Sequence, residues 1–384
     1  MPPPPKDARP SRRRPALVAG AVVVLLAAVV TFALLATSDD EGRRQGATAK
    51  PTPPEWSQEA GRWLTSLPGL RYAGTMTLAG RPVQVRLTVT RAGLGTGRLT
   101  DGTVSADLVA IDGSTYVKGG TAFWRAYSGE AARAGSFAGR WAKVPSALSG
   151  LADVSDILGP RSIATRLGSA GRWSTVKVGT TPAYRVRTAE ADYFVTTSAP
   201  YRLVRVRAAG QGRPQFAVSP LANTAAAFTE LRPRVAALGG AGDPTLRFQP
   251  GKPDFVNCND NMSGCTLSVD ATLTSPRGTV PAGARAAMRA TITAEGRTLG
   301  SCTGSAPVPA GRTVELRCKV TSPGWRSWLR VVRETPGPHP YEGYARVIGE
   351  AVAASDVDRL LDLVDREREQ VISPSPSATP SSTP

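Results

Sequence analysis

The sequence holds a single histidine, His339, among 384 residues, and only four cysteines and four methionines. One histidine argues against a His-dependent catalytic triad and against a metal site built from several imidazoles. No Cys-x-x-Cys pair occurs, so a tight zinc site is excluded as well. Gly93, Gly95 and Gly97 lack the lysine and the following helix of a phosphate loop and read as turn residues. No close pair of carboxylates lies in a recognisable motif. The expectation is a protein that is not an enzyme and uses no metal and no cofactor. Acidic residues are also in deficit, 30 against 47 basic ones, for a formal net charge of +17. What is present is 41% hydrophobic residues, enough for folded domains and too many for a wholly disordered chain.

The longest apolar stretch, Ala16 to Ala36, is 21 residues without a charge. At 1.5 Å of rise per residue it spans the hydrocarbon core of a bilayer. Lys6, Arg9, Arg12, Arg13 and Arg14 precede it against Asp7, a net +4, whereas Asp39, Asp40 and Glu41 follow. The basic flank predicts a cytoplasmic tail over 1–15 and a single-pass transmembrane anchor over 16–36, with the bulk of the chain outside the cell membrane. A cleaved signal peptide is the competing reading. This topology excludes nucleic acid as a partner. Residues 37–333 carry 38 basic against 20 acidic groups, which suits anionic lipid headgroups or envelope polymers.

Cys258, Cys265, Cys302 and Cys318 all fall outside the membrane, an even number in an oxidising compartment. Four cysteines allow three pairings, of which the local one, Cys258–Cys265 with Cys302–Cys318, is favoured. The second pair is symmetric about Ala310, and a hairpin centred there would set the two sulfurs facing each other across a ladder.

Composition marks the organisation. Residues 37–54 are a charged, Pro/Thr-rich spacer, 239–253 a Gly/Pro-rich linker, and 373–384 a tail of Ser, Pro, Thr and Ala. Residues 55–238 open with a helix over Trp56–Leu67, stopped by Pro68-Gly69. Strand patterns follow over Tyr72–Leu78, Val83–Thr90, Gly97–Thr100, Val104–Ile111 and Thr115–Lys118. Helical pieces over Phe123–Tyr127 and Ile157–Leu167 come next. A second strand group covers Ser174–Val178, Ala183–Thr188, Ala191–Thr196 and Tyr201–Ala208, and Ala222–Leu238 reads as a helix that Pro233 should kink. The order predicts an α+β fold, a large antiparallel sheet with helices on one face. Residues 254–333 read as a small all-β, immunoglobulin-like sandwich with strands over Thr266–Leu273, Ala286–Thr293, Arg297–Cys302, Thr313–Val320 and Trp325–Val332. Residues 334–372 read as helical: Tyr341–Ala354, then Asp356–Gln370, with Ser355 and Asp358 as a capping box. The apolar stripe Val357, Leu360, Leu361 and Val364 is expected to dock on the sandwich.

The run AIDGSTYVKGGTAFWR, Ala110 to Arg125, followed by GRWAKVP, Gly139 to Pro145, resembles the LppX/LprG-type exported lipoproteins of actinobacteria. The segment PAYRVRTAEADYFVTTSAPYRLVRV fits the same strand–turn–strand pattern. The resemblance covers about residues 55–215. It implies a strongly curved antiparallel half-barrel with helices on its concave side, related to LolA-type carriers, that binds an acyl lipid or glycolipid between sheet and helices. This chain departs from that family in carrying an apolar anchor where the family has a lipid-modified cysteine, and in its second ectodomain. The expected lining residues are Met76, Leu78, Val85, Leu87, Val109 and Ile111, with Phe123, Trp124 and Trp141 near a mouth. Ordinary core packing is the competing role for the same residues. Two functions follow: a membrane-tethered lipid binder or carrier of the cell envelope, or an adhesion, scaffold or sensing ectodomain without a small ligand.

Overall fold

The computed structural model describes residues 54–372 apart from 129–132, 211 and 260. The expected tail 1–15, the apolar run 16–36, nearly all of the spacer and the tail 373–384 lie outside the described residues. Among the described residues no helix is long and apolar enough to cross a membrane.

Helix α1 (Glu55–Ser66) leads into a meander of β1 (Gly69–Leu78), β2 (Arg81–Thr90), β3 (Gly95–Asp101), β4 (Val104–Ile111) and β5 (Ser114–Gly119). Short helices α2 (Thr121–Tyr127), α3 (Ala134–Phe137), α4 (Val154–Leu158) and α5 (Pro160–Gly168) follow, with β6 (Trp141–Lys143) between α3 and α4. The second group is β7 (Trp173–Val178), β8 (Thr181–Arg187), β9 (Ala191–Thr196), β10 (Leu203–Ala208) and β11 (Gln215–Pro220), ended by α6 (Thr224–Ala236). The turns are built as their sequences demand. Asp112-Gly113, Ala79-Gly80 and Glu295-Gly296 all take positive φ at both residues, as two-residue hairpins of the right twist require.

Strand β11 joins the two groups. It pairs with β1 on one side and β10 on the other, so the sheet runs β7-β8-β9-β10-β11-β1-β2-β3-β4-β5-β6. The sequence pattern does not mark β11, because its apolar residues are the short run Phe216-Ala217-Val218 in a six-residue strand that ends in a proline. A glycine on β1 lets it close: a Cβ at Gly74 would lie 1.8 Å from the Gln215 carbonyl oxygen. The expected helix over Ile157–Leu167 is two helices, α4 and α5, separated by Gly159 with Pro160 at the first helical position of α5.

The rest of the chain extends the same sheet and adds a second. The expected linker carries β12 (Ala241–Asp243) and β13 (Arg247–Pro250); then come β14 (Asp254–Val256), β15 (Cys265–Ser275), β16 (Arg285–Ala294), β17 (Arg297–Pro307), β18 (Thr313–Val320), α7 (Pro323–Glu334), β19 (Glu342–Val352) and α8 (Val357–Ile372). β12 pairs with β6 and β19, and β19 with β16, so one sheet of 15 strands continues to β17 at its far edge. β13, β15, β14 and β18 form a separate sheet. The fold is therefore α+β, with a large antiparallel sheet and several helices.

Three expectations are corrected here. Trp325–Val332 is helical, not a strand: Ser322 Oγ accepts from Trp325 N at 3.2 Å, Pro323 opens the helix, and Trp325 and Leu329 at i and i+4 point into the core. Tyr341–Ala354 is a strand over most of its length, and two glycines at 343 and 349 would have weakened a helix. Helices cover both faces of the sheet, not one. α1 and α2–α5 bury one face, in a cluster that includes Leu64, Tyr72, Leu108, Ile163 and Phe216. α6 and α8 bury the other over β3–β6, with Phe228, Leu231, Leu360 and Val364.

The stripe on α8 thus docks on the first sheet beside α6 rather than on the sandwich. Arg359 reaches Asp112 at 2.9 Å, and Arg232 of α6 reaches Asp365 at 3.0 Å. The start of α8 is held by Asp356, which accepts from Ala353 N at 3.3 Å, and not by a Ser355–Asp358 box.

The disulfides are Cys258–Cys265 and Cys302–Cys318, the expected pairs. The geometry behind the second differs from the expectation. β17 and β18 belong to different sheets, so this bond joins the two sheets instead of lying within a hairpin ladder. Gly304 of β17 makes the approach feasible: a Cβ there would sit 2.3 Å from the Arg317 carbonyl oxygen.

Candidate functional site

All nine residues expected to line a lipid cavity are buried, and the sheet divides them. Met76, Leu78, Val85, Leu87, Phe123 and Trp124 belong to the cluster under α1–α5. Val109, Ile111 and Trp141 face the other way, under α6 and α8. They cannot line one cavity with the first six. Strand β4 explains the misassignment. Alternation separates Ala106, Leu108 and Ala110 from Val109 and Ile111, but both sets are apolar and covered, so periodicity alone does not say which face a cavity would use.

The covered face is fastened by two tyrosines. Tyr193 Oη donates to the Ile157 carbonyl at 3.1 Å, and Tyr72 Oη donates to the Leu158 carbonyl. Both acceptors lie at the C-terminal end of α4, where helix carbonyls lack intrahelical partners. Burial raises the pKa of both phenols, that of Tyr193 to about 12, so each remains a donor at neutral pH. The short helices are held in this way by the sheet more than by their own hydrogen bonds. One polar atom in the cluster is left over. Trp124 is fully buried, and its indole N–H has no acceptor among the described residues.

Grooves among the described residues are open to solvent, and two of them carry a concentration of arginine. The smaller, ≈ 470 Å³, lies on the outer surface of β1–β3 against α6 and is lined by Arg71, Arg86, Arg98 and Arg234 among others. Leu87 contributes to its wall. Arg98 is paired with Asp107 at 3.0 Å and Arg234 with Glu230 at 2.8 Å, which leaves Arg71 and Arg86 as its unpaired cations among the described residues. The larger groove, ≈ 1190 Å³, lies where the α6–α8 cover ends and the sheet continues through β19 to β16 and β17. Lys118, Arg140, Arg285, Arg289 and Arg346 line it, with Glu350 as its carboxylate, and Trp141 borders it. Sequence reading found none of these cations as a group, because they come from three strands and a loop far apart in the chain. The excess of arginine over the whole chain was the sole signal.

Asn261 shapes the loop within the Cys258–Cys265 bridge: its Oδ1 accepts from Ser263 N and Oγ at 2.9 and 2.7 Å, and its Nδ2 donates to the Asn257 carbonyl at 2.9 Å. Its amide is thus used in closing a turn.

No protein-family profile matches this chain, and no curated protein matches it. Solved structures similar to it include MucB (12% identity over 80% of this chain and 94% of that chain, TM-score 0.22) and MucB in complex with MucA(peri) (11% identity, 71% and 95%, TM-score 0.22). The MucA/MucB complex of Pseudomonas aeruginosa gives 11% identity, 71% and 95%, and a TM-score of 0.22. Likeness at that score carries no argument about fold or function.

Proposed function

We propose that the protein is an extracytoplasmic binding protein of the cell envelope, tethered by its N-terminal apolar run, that takes an acyl lipid or glycolipid between the sheet and the short helices. In this reading β1–β11 form a curved half-barrel, the two-sheet region is an immunoglobulin-like module, and the protein has a carrying rather than a catalytic role.

The observation that carries the proposal is the make-up of the cover. A wide apolar sheet face is closed by α1 together with helices of four to nine residues, α2–α5, with the unpaired Trp124 N–H beneath the cover. Such helices are marginal by themselves and open at less cost than one long helix. A buried donor without an acceptor costs about 1–3 kcal/mol, which an ester or amide carbonyl of a bound lipid would recover. Each methylene that replaces water against Met76, Leu78, Val85 and Leu87 adds about 0.8 kcal/mol. Because helix side chains fill this face, entry requires α2–α5 to lift.

The test is mass spectrometry of the full chain purified from its native host in a mild detergent. An acyl lipid retained in stoichiometric amount, and exchanged for added lipid of the same class, is the expected result. A protein that carries no lipid and takes none up sinks the reading, and leaves a scaffold or sensing ectodomain in its place.

A further inference from the structure

We propose that the larger groove is a binding site for an acidic glycan, a chain of sugar units bearing carboxylate or phosphodiester groups. This inference uses residues other than those of the lipid reading, and the two adjoin at α3, where Gly135 and Ser136 border the groove.

The charge is arranged in a way that folding alone does not explain. Arg289 of β16 and Arg346 of β19 are directly opposite each other in the ladder. Side chains so placed have Cβ atoms about 5 Å apart, and like charges there are destabilising. Arg346 crosses the groove to donate to the Gly135 carbonyl at 3.3 Å. Arg289 is exposed and, like Arg140 and Lys118 on the facing wall, has no hydrogen bond or ion pair among the described residues. The single carboxylate of the groove is already neutralised, since Glu350 accepts from Arg285 at 2.8 Å and also from Ser305. A polyanion supplies the missing counter-charge, and guanidinium forks bind carboxylate and phosphate oxygens in pairs.

The remaining surface suits sugar better than peptide or bilayer. Between the arginines the floor is small and hydroxylated: Thr303 flanks Arg289, and Ser305 flanks Ala287. Tyr344 stands beside Thr291 with 58% of its surface exposed, an amphipathic ring on which a pyranose face can rest. At ≈ 1190 Å³ the groove exceeds the ordinary range for one small ligand, which favours an oligomer. Met288 and Ile348 are largely covered, so the surface presented between the arginines is mostly alanine, serine and threonine.

Binding is to be measured on the full chain in non-ionic detergent at roughly 0.15 M salt. The probes are hexagalacturonate and a short poly(N-acetylglucosamine phosphate), against neutral maltohexaose, hexaglutamate and phosphatidylglycerol in mixed micelles. The expected result is saturable binding of at least one acidic glycan and none of maltohexaose. Arg289→Gln and Arg346→Gln should each weaken it about tenfold, whereas Arg86→Gln in the smaller groove leaves it unchanged. Removal of one of two facing like charges should also leave the melting temperature equal or higher, so that lost binding is not lost folding. Hexaglutamate bound as tightly as the glycans would reduce the site to charge alone. Phosphatidylglycerol binding that depends on the same two arginines would make it a lipid-headgroup contact. Either result overturns the proposal, as does binding indifferent to both substitutions.

Discussion

The region built around β1–β11 and the region built around β13–β19 use the same sheet in opposite ways. In the first, β4 is apolar on both faces, because α1–α5 cover one and α6 with α8 cover the other. In the second, β16, β17 and β19 bury one face against β15 and β18, in a cluster with Met288, Ile292, Leu316 and Trp325, and leave the other face polar. β18 alternates strictly between exposed and buried residues, whereas the last four residues of β4 are all buried. Double cover gives stability without added crosslinks. Single cover comes with two disulfides and with the exposed arginines. The comparison teaches that unpaired charge collects on a sheet face where its second cover stops.

Cutting the doubly covered core should have the largest effect. Leu108→Ala removes a fully buried side chain from β4 and should cost about 2–5 kcal/mol. Because β12 and β19 carry the sheet from one region to the other and α8 returns to the first, unfolding followed by calorimetry should remain a single transition at a lower temperature. Two resolved transitions would show that the regions are independent, and would break the comparison at the β6–β12 contact, where one residue pair, Gly242 with Ala142, makes the junction.

Removing the inter-sheet staple comes next. The double change Cys302→Ser, Cys318→Ser opens a bridge of sequence separation 16, worth about 3 kcal/mol in the chain-entropy account. Hydrogen exchange should rise in β15–β18 and stay unchanged in β1–β5. An equal rise in both would mean that the singly covered region supports the other.

Leu87→Trp tests the lipid reading against plain packing. Leu87 lies over Gly97, where an added Cβ would be 2.5 Å from Leu87 Cδ2, so space there is already tight. With the cover closed, the larger ring overpacks and costs about 1–3 kcal/mol by thermal melting. If α2–α5 lift for a lipid, the variant should instead lose bound lipid and keep its melting temperature.

The smallest effect concerns Glu367, which ties α8 to the β2–β3 turn. Its carboxylate accepts from Ala92 N at 2.5 Å and from Thr90 Oγ1 at 2.8 Å. Burial raises its pKa against the lowering effect of those donors and of Arg161 and Arg91. A carboxyl with a raised folded-state pKa favours the fold fully below the unfolded value of about 4.3 and loses that contribution as pH rises through the folded value. Glu367→Gln should therefore remove a decline in stability over that interval, with no fall in melting temperature at pH 7. Glu367→Ala should lower it, by about 1–3 kcal/mol, since two donors lose their acceptor. A steeper pH dependence in the glutamine variant would contradict the assignment.

Much of the strand order was legible because each element carries its own signal. Val104–Ile111, Ala191–Thr196 and Thr313–Val320 coincide with the strands read from alternation, and Pro68-Gly69 ends α1 where a helix must stop. Cysteine spacing gave the right pairs, although the sheets, and not a hairpin, bring Cys302 to Cys318. Trp325–Val332 was misread although its Ser-Pro start and i, i+4 apolar spacing are local helix signals. The strand from Glu342 was missed for another reason: its hydrogen-bond partners, β16 and β12, lie far away in sequence.

The sequence by itself determined the periodicity of the strands, the turn residues, the bulk of the apolar core and the surplus of arginine, because those depend on a residue and its near neighbours. Tertiary structure alone decided which apolar face of β4 meets which helices, that α8 returns to the first sheet, and that five cations from distant elements share one groove. A strand with two apolar faces contains no information about what covers each. A charge far away in sequence becomes a neighbour only when long-range strand pairing places it there, at an entropic cost that local patterns do not encode.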